Sequence, residues 1–221
     1  MDGAIRNSRF NRKDYVDWCA PGRCYYHGTT RWPSGLDAGT DGKVPTMTTI
    51  NYFDEDGFLA LCEPTSYEGF VDADWTLEQI VPLFNERMRE GKLVVAYVGQ
   101  DDAFGRFEVR EAASERPAEW AHTMPLHVEQ GPVSFVTYNG LTMVAQFSDN
   151  RLEQQTRDLE PLTELAPGDY TVTIRRLAEQ EPIDWDDPAT YPLHELVIAP
   201  GRMTEPPAHF PGAKQLAPGL E

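Results

Sequence analysis

The segment GDYTVTIRRL, residues 168–177, decides the fold class. Its apolar side chains Tyr170, Val172 and Ile174 alternate with threonine and arginine side chains. Because successive side chains of a β-strand point to opposite faces of the sheet, this alternation predicts a strand over residues 170–177. One face of that strand is buried and the other meets solvent, as in an antiparallel sheet that covers a core on one side only.

Similar runs rich in Thr, Val, Ile and aromatic residues occur on both sides of this segment. Asn139-Gly140 separates two of them, and Asn-Gly favours the two-residue type I′ turn, so the sequence predicts a hairpin there. A second hairpin is predicted around residues 99–102. The predicted strands cover residues 46–53, 58–62, 93–98, 104–110, 133–138, 141–147, 170–177 and 194–199.

One helix is predicted at about residues 76–90. Thr76 and Gln79 have the spacing of a capping box, and Gly91 offers an end. Pro82 argues either for a start near that residue or for a kink, because proline inside a helix costs about 3 kcal/mol. Apolar side chains recur at helical spacing at Leu77, Ile80, Val81, Phe84 and Met88.

These elements predict a mainly β protein of the α+β class. We expect a single-domain β-sandwich or a strongly curved antiparallel sheet with one substantial helix. Residues 1–43, which are punctuated by Gly and Pro, are expected to be an irregular segment packed on the core. Residues 44–199 are the β-rich domain, and residues 200–221 are a Pro- and Gly-rich tail.

The charge of the chain is strongly negative and unevenly placed. Its 221 residues include 36 acidic and 19 basic ones, which gives a net charge of −17. Residues 1–50 hold seven basic and five acidic groups, whereas residues 51–221 hold twelve basic and thirty-one acidic groups, a net of −19. This balance argues against nucleic-acid or anionic-membrane binding, which need Lys and Arg. It is compatible with a basic protein partner or simply with solubility.

No run of 18 apolar residues and no signal peptide is visible, so we expect a cytoplasmic protein without a membrane span. The exposed acidic clusters are the candidate contacts for a basic partner. Trp185 is the first choice as an interface anchor, with a place in the core as the alternative. The candidate residues are Asp54, Glu55 and Asp56, then Asp101 and Asp102, then Asp184, Trp185, Asp186 and Asp187.

Metal and catalytic motifs are sparse. Cys19 and Cys24 with the nearby His27 approach metal-ligand spacing, but a structural zinc site usually has two close pairs of ligands and here there is one. Two thiols near a turn are therefore expected, and a metal bound by Cys19 and Cys24 is the alternative. His122 and His127 are expected at a strand edge. No nucleophile elbow, phosphate-binding loop or dinucleotide fingerprint occurs.

The strand and turn order over residues 92–200 resembles that of β-rich bacterial immunity proteins of polymorphic toxin systems. The resemblance implies a non-catalytic protein that needs no cofactor and that binds and blocks a toxin, often a basic nuclease. The segments that carry it are LVVAYVGQDDAFGRFEVRE, PLHVEQGPVSFVTYNGLTMV, LAPGDYTVTIRRL and HELVIAP.

The alternative is an enzyme, because Tyr25-Tyr26-His27-Gly28-Thr29 resembles the first strand of ADP-ribosyltransferases. That resemblance implies NAD as cofactor, with His27 at its ribose. Such enzymes also use a stacking aromatic residue and a late Glu. Tyr52 and either Glu68 or Glu108 are candidates, although none of the three stands in a recognisable motif. A third class is a structural component of a phage or secretion assembly.

Overall fold

A computed structural model describes residues 48–99, 104–153, 164–178, 182, 184 and 187–218. The N-terminal segment 1–43, with Cys19, Cys24 and His27, lies outside the described residues. The strands are β1 Thr48–Phe53, β2 Phe58–Cys62, β3 Val94–Tyr97, β4 Phe104–Arg110, β5 Ala118–Val128, β6 Ser134–Phe135, β7 Gly168–Leu177 and β8 Leu193–Pro200, and the helices are α1 Leu77–Arg89, α2 Tyr138–Gln146, a 3₁₀ turn Pro188–Thr190 and α3 Ala213–Leu216.

The strands form two sheets, so the prediction of a mainly β, α+β fold is confirmed. One sheet has five strands in the order β1-β4-β8-β7-β5, and the other has three in the order β3-β2-β6. All pairs are antiparallel except β4 and β8, which run parallel. The larger sheet is therefore mixed, whereas the sequence predicted an antiparallel one.

A single apolar core is shared by both sheets and by α1 and α2. Phe135 of β6 reaches the five-stranded sheet, where its ring centroid lies 4.9 Å from Tyr52 and 5.0 Å from Phe107. On β7, Tyr170, Val172 and Ile174 are buried as their alternation predicts. Contacts of this kind make the arrangement a packed pair of sheets.

Helix α1 begins at Leu77, directly after Thr76, and continues through Pro82 to Arg89. The Thr76 backbone N–H donates to Gln79 Oε1 at 2.9 Å, which is one half of the predicted capping box. Pro82 lies on the exposed side, where solvent can satisfy the carbonyl that loses its helical partner. The predicted helix is confirmed, and the proline neither begins it nor ends it.

The hairpin predicted at Asn139-Gly140 is wrong, because this dipeptide lies in the first turn of α2. Thr137 is the N-cap, and its Oγ1 accepts the Gly140 N–H at 3.1 Å. Neither residue has the positive φ that a type I′ turn requires. Buried Leu141, Val144 and Ala145 follow helical spacing, which the sequence reading took for a strand.

The hairpin predicted around residues 99–102 is also wrong. The strand before it, β3, pairs with β2 in the small sheet, and the strand after it, β4, pairs with β1 and β8 in the large one. The intervening chain therefore connects the two sheets. Its central residues 100–103, including Asp101 and Asp102, lie outside the described residues.

The C-terminal residues 201–218 pack on the core rather than extending as a tail. Phe210 is buried, and its N–H donates to Asn85 Oδ1 at 2.9 Å. The Tyr97 N–H of β3 donates to the Pro211 carbonyl at 2.8 Å. Although this segment is rich in Pro and Gly, the buried Phe210 and the neighbouring hydrogen bonds hold it against α1 and β3.

His194 on β8 is buried within this core. Its ring stacks on Phe107 at 4.9 Å and lies 5.7 Å from Trp120. Nδ1 lies 3.2 Å from the Pro192 carbonyl, and Nε2 has no hydrogen-bond partner among the described residues. Burial, with a smaller contribution from the Arg176 charge, lowers the pKa of His194 from its usual 6.5 to about 4.

This pKa predicts that His194 makes stability depend on pH. The unfolded chain takes up a proton below pH 6.5, whereas the folded chain does so only near pH 4, so stability falls as pH drops between these values. At about 1.4 kcal/mol per pH unit, the loss reaches about 3 kcal/mol. Urea unfolding of the wild type and of His194→Gln between pH 7 and pH 4 measures it. Equal pH slopes for the two proteins would contradict the prediction.

Candidate protein-binding face

The carboxylate of Asp54 joins the turn after β1 to the start of α2. Its Oδ1 accepts the N–H groups of Asp56 at 2.9 Å and Phe58 at 3.4 Å. Its Oδ2 accepts the Tyr138 N–H, the first of helix α2, at 2.5 Å. The first four N–H groups of a helix have no partner within it, so an acceptor here stabilises α2 and fixes the turn against it.

The segment before α1 is attached to the opposite end of α2. The N–H groups of Val71 and Asp72 both donate to the Ala145 carbonyl, at 2.8 and 3.2 Å. The Gln146 side chain donates to the Ala73 carbonyl at 3.0 Å. The turn at Asp54 and the segment 71–74 therefore lie at the two ends of the same short helix.

Aromatic rings connect these two parts. Tyr138 stacks on the buried Phe58 with 4.3 Å between ring centroids, and Trp75 meets Tyr138 edge-on at 6.4 Å. Trp75 and Tyr138 are partly buried, so each keeps an accessible portion. Phe70, one turn of chain earlier, is 54% exposed. Aromatic side chains with an accessible part are the residue type that most often anchors protein interfaces.

Exposed carboxylates lie close in sequence to these aromatic residues and to the turn at Asp54, and we refer to the whole set as the acidic face. Among the described residues, no Lys or Arg forms an ion pair with any of its carboxylates. The acidic face consists of Glu55, Asp56, Asp72, Asp74 and Glu78 together with Phe70, Trp75 and Tyr138.

The carboxylates influence the titration of their neighbours. Partial burial and the nearby charges of Asp54 and Glu55 raise the pKa of Asp56. Burial, followed by the charges of Asp56 and Asp54, raises the pKa of the Tyr138 phenol. Negative charge is thus crowded at this end of the face, and a cation placed there would relieve the repulsion.

Acidic groups at the far side of the large sheet are, in contrast, neutralised. Glu195 is fully buried, and its carboxylate contacts Arg110 at 3.4 Å, Arg116 at 3.1 Å and Arg175. Glu108 beside it accepts from Arg110 at 2.8 Å and from Arg116 at 2.5 Å. Such a cluster holds strands β4, β7 and β8 and the loop between β4 and β5 together, and leaves little charge for a partner.

The predicted partner contacts are placed differently by the structure. Asp54 is only 3% exposed, so the expectation that it is exposed is wrong: its oxygens serve the backbone. Glu55 and Asp56 are exposed and belong to the acidic face. Asp184 and Asp187 are exposed in a separate turn, where Asp187 Oδ1 accepts the Ala189 N–H at 2.9 Å. Asp101, Asp102, Trp185 and Asp186 lie outside the described residues.

Asp72, Asp74, Glu78 and Phe70 were not among the predicted contacts. A signal for them exists in the sequence, because residues 44–86 contain nine acidic residues and not one Lys or Arg. Residues 117–150, which supply α2, also lack Lys and Arg. The net charge of residues 51–221 as a whole does not show that these two segments lack basic residues.

The structure describes three of the four residues of the predicted enzyme alternative. His27 lies outside the described residues. Tyr52 is buried, with its hydroxyl donating to the Val136 carbonyl at 3.0 Å, Glu108 belongs to the arginine cluster, and Glu68 is exposed. His122 and His127, expected at a strand edge, lie within β5, which is one of the two edge strands of the large sheet.

Metal ligands do not gather in the part of the chain that the structure describes: it holds no group of three His, Cys, Asp or Glu able to bind a metal ion. Cys19 and Cys24 lie outside that part. The third cysteine, Cys62, is a buried free thiol whose pKa is raised by burial. None of the described helices has both the length and the apolar character needed to cross a membrane.

No protein-family model and no curated protein matches the sequence. Solved structures with some similarity include the protein named crocagin biosynthetic gene J, which is 13% identical, with a TM-score of 0.40, over 71% of this chain and 97% of its own. They also include ComJ from Bacillus subtilis, an inhibitor of the DNA-degrading activity of NucA. ComJ is 12% identical, with a TM-score of 0.39, over 70% of this chain and 96% of its own.

Substitutions of Asp54 and Glu55 form a matched pair. The first tests a buried carboxylate that holds the acidic face in place, and the second tests an exposed carboxylate of the face itself. Asp54→Ala removes the acceptor of three backbone N–H groups and should lower the free energy of unfolding by about 2 kcal/mol. Glu55→Ala removes an exposed side chain and should change it by less than about 0.5 kcal/mol. Urea unfolding at pH 7 measures both. Equal effects of the two substitutions would show that Asp54 does not hold the turn against α2.

Proposed function

We propose that this chain is a non-catalytic binding module whose acidic face docks a basic protein. One observation carries the proposal: the acidic face combines accessible aromatic side chains with exposed carboxylates that form no ion pair with a Lys or Arg in the part of the chain that the structure describes. The −17 net charge of the chain adds a long-range attraction for the same kind of partner.

The two kinds of side chain have different roles in such a complex. Carboxylates at the rim speed the encounter with a basic surface and set its orientation, while contributing modestly to affinity. The ring of Phe70, which is 54% exposed, can enter an apolar pocket of the partner and slow dissociation. The carboxylates therefore govern the association rate, and Phe70 governs the dissociation rate.

The acidic face is held in place before any partner arrives. Segment 71–74 is hydrogen-bonded to α2 through three contacts, and the turn at Asp54 is fixed by the buried carboxylate. A surface that is ordered in the free protein loses little conformational entropy on binding. This favours a stable complex over a transient encounter.

The proposed outcome of docking is inhibition of the partner, in the manner of an immunity protein acting in the cytoplasm. Support comes from the electrostatics of the acidic face. Nucleases and other proteins that hold phosphate groups present clusters of Lys and Arg. An array of fixed carboxylates is complementary to such a cluster and competes with the nucleic acid for it.

The test begins with capture of a partner from native lysate at low salt, release at high salt and identification by mass spectrometry. Association and dissociation rates of the purified partner are then measured for two face variants. Asp72→Asn with Asp74→Asn should slow association at least fivefold and flatten its salt dependence. Phe70→Ala should speed dissociation at least fivefold with little change in association.

A matched control is Glu111→Gln with Glu115→Gln, which removes the same charge from exposed positions in the loop between β4 and β5. This pair should leave both rates within twofold of the wild type. Equal slowing by the control pair would show that only net charge matters. An empty column at low salt, or a partner whose activity is unchanged in the complex, would contradict the proposed function.

A further inference from the structure

A cleft of about 490 Å³, lined by none of the residues of the acidic face, lies between the end of α1 and the beginning of β7. This volume is in the range of sites for small molecules. One part of its lining is apolar and is contributed by the neighbouring strands and the chain after β8. These apolar residues are Pro125, Leu126, Tyr170, Met203 and Pro206.

Two carboxylates, of Glu90 and Asp169, and two guanidinium groups, of Arg89 and Arg202, line the cleft. Glu90 is paired with Arg87 at 2.7 Å, and Asp169 contacts His127 Nδ1 at 2.7 Å. Arg89 and Arg202 line the same cleft, and neither forms an ion pair with a carboxylate of the described residues. Both carboxylates thus have a partner, and the Arg89 Nε donates to the Asn85 carbonyl at 3.1 Å. The terminal nitrogens of Arg89 and the guanidinium group of Arg202 remain for an anion, in a chain with nearly twice as many acidic as basic residues.

Three carbonyl groups in the last turn of α1 accept hydrogen bonds from the chain that follows the helix. The Glu86 and Met88 carbonyls accept the N–H groups of Glu90 and Gly91 at 3.0 and 2.9 Å. The Arg87 carbonyl accepts the N–H groups of Lys92 and Leu93. These bonds satisfy the carbonyls that would otherwise present negative charge at a helix C-terminus.

The walls are tied to each other through the backbone. The His127 N–H donates to the Gly91 carbonyl at 2.7 Å, and the Gly201 N–H donates to the Asp169 carbonyl at 2.9 Å. Gly91 has a φ of 75°, and a Cβ there would lie 3.0 Å from the His127 nitrogen. Glycine therefore allows the end of α1 to approach β5 closely enough to form one side of the cleft.

We propose that this cleft binds a small organic molecule that carries a phosphate or carboxylate group. Arg89 and Arg202 hold the oxyanion, since guanidinium groups bind phosphate and carboxylate oxygens through paired hydrogen bonds. The organic part lies on the apolar wall. The cleft is a second site, with a ligand opposite in charge to the partner of the acidic face.

Isothermal titration calorimetry with AMP, citrate and inorganic phosphate tests the proposal. AMP offers a phosphate on an organic group, citrate offers carboxylates, and inorganic phosphate lacks the organic part. We expect AMP or citrate to bind with at least tenfold higher affinity than inorganic phosphate. Arg89→Gln and Arg202→Gln should each weaken that binding at least tenfold, and thermal melting verifies that both variants are folded.

The controls separate this site from other surfaces. Lys214→Gln removes an exposed basic group outside the cleft and should leave the affinity within twofold of the wild type. Asp72→Asn with Asp74→Asn should also leave it unchanged, so failure of this site is distinguishable from failure of the acidic face. Absence of binding by all three probes at 5 mM would overturn the proposal, as would equal affinity in the double variant Arg89→Gln with Arg202→Gln.

Discussion

The hydrogen bonds of the Asp54 carboxylate are the constraint on which the acidic face depends. Asp54 follows the last residue of β1 in the large sheet and precedes β2 of the small sheet. By accepting the N–H groups of Phe58 and Tyr138, it couples the crossing between sheets to the start of α2. Gly57, with a φ of 74°, completes the turn. Together with the stacking of Phe58 on Tyr138, this coupling fixes the position of the turn against the helix.

Carboxylates in this protein have arginine partners in one region and no such partners among the described residues in another. On the outer face of the large sheet, buried Glu195 is surrounded by three arginines and serves the fold. On the acidic face the carboxylates have no such partners among the described residues. Because exposed like charges destabilise a fold through repulsion, keeping them together costs free energy, which the proposed basic partner would offset. In the cleft, by contrast, the guanidinium groups of Arg89 and Arg202 have no carboxylate partner among the described residues.

Much of the fold follows from local pattern. Alternation marks β7, and the spacing of Ile80, Phe84 and Met88 marks α1, because these periods reflect which side faces the core. Asn139-Gly140 misled the prediction, since a preference for a turn is weak beside an N-cap from Thr137 and an acceptor from Asp54, 84 residues away in sequence. The division of the strands between two sheets also depends on contacts between residues far apart in sequence, so local pattern does not predict it.

The sequence predicts only part of the acidic face. The acidic composition is compatible with a basic partner or with solubility, and the sequence marks Glu55 and Asp56 as one cluster. Asp54, in the same cluster, is buried because a backbone acceptor was needed there, which no composition can reveal. Asp72 and Asp74 are linked to Glu55 and Asp56 through α2, because segment 71–74 is bonded to one end of this helix and the turn at Asp54 to the other. The sequence predicts strands over the residues of this helix, so it does not bring the four carboxylates together.

Hydrogen–deuterium exchange of this chain, alone and bound to its captured partner, tests the central claim most directly. Backbone amides exchange more slowly where a partner excludes solvent and stabilises local structure. The account predicts slower exchange at residues 55–57 and 70–78 and unchanged exchange in the loop 111–117. Slower exchange confined to that loop or to residues 187–190 would place the interface elsewhere and contradict the account.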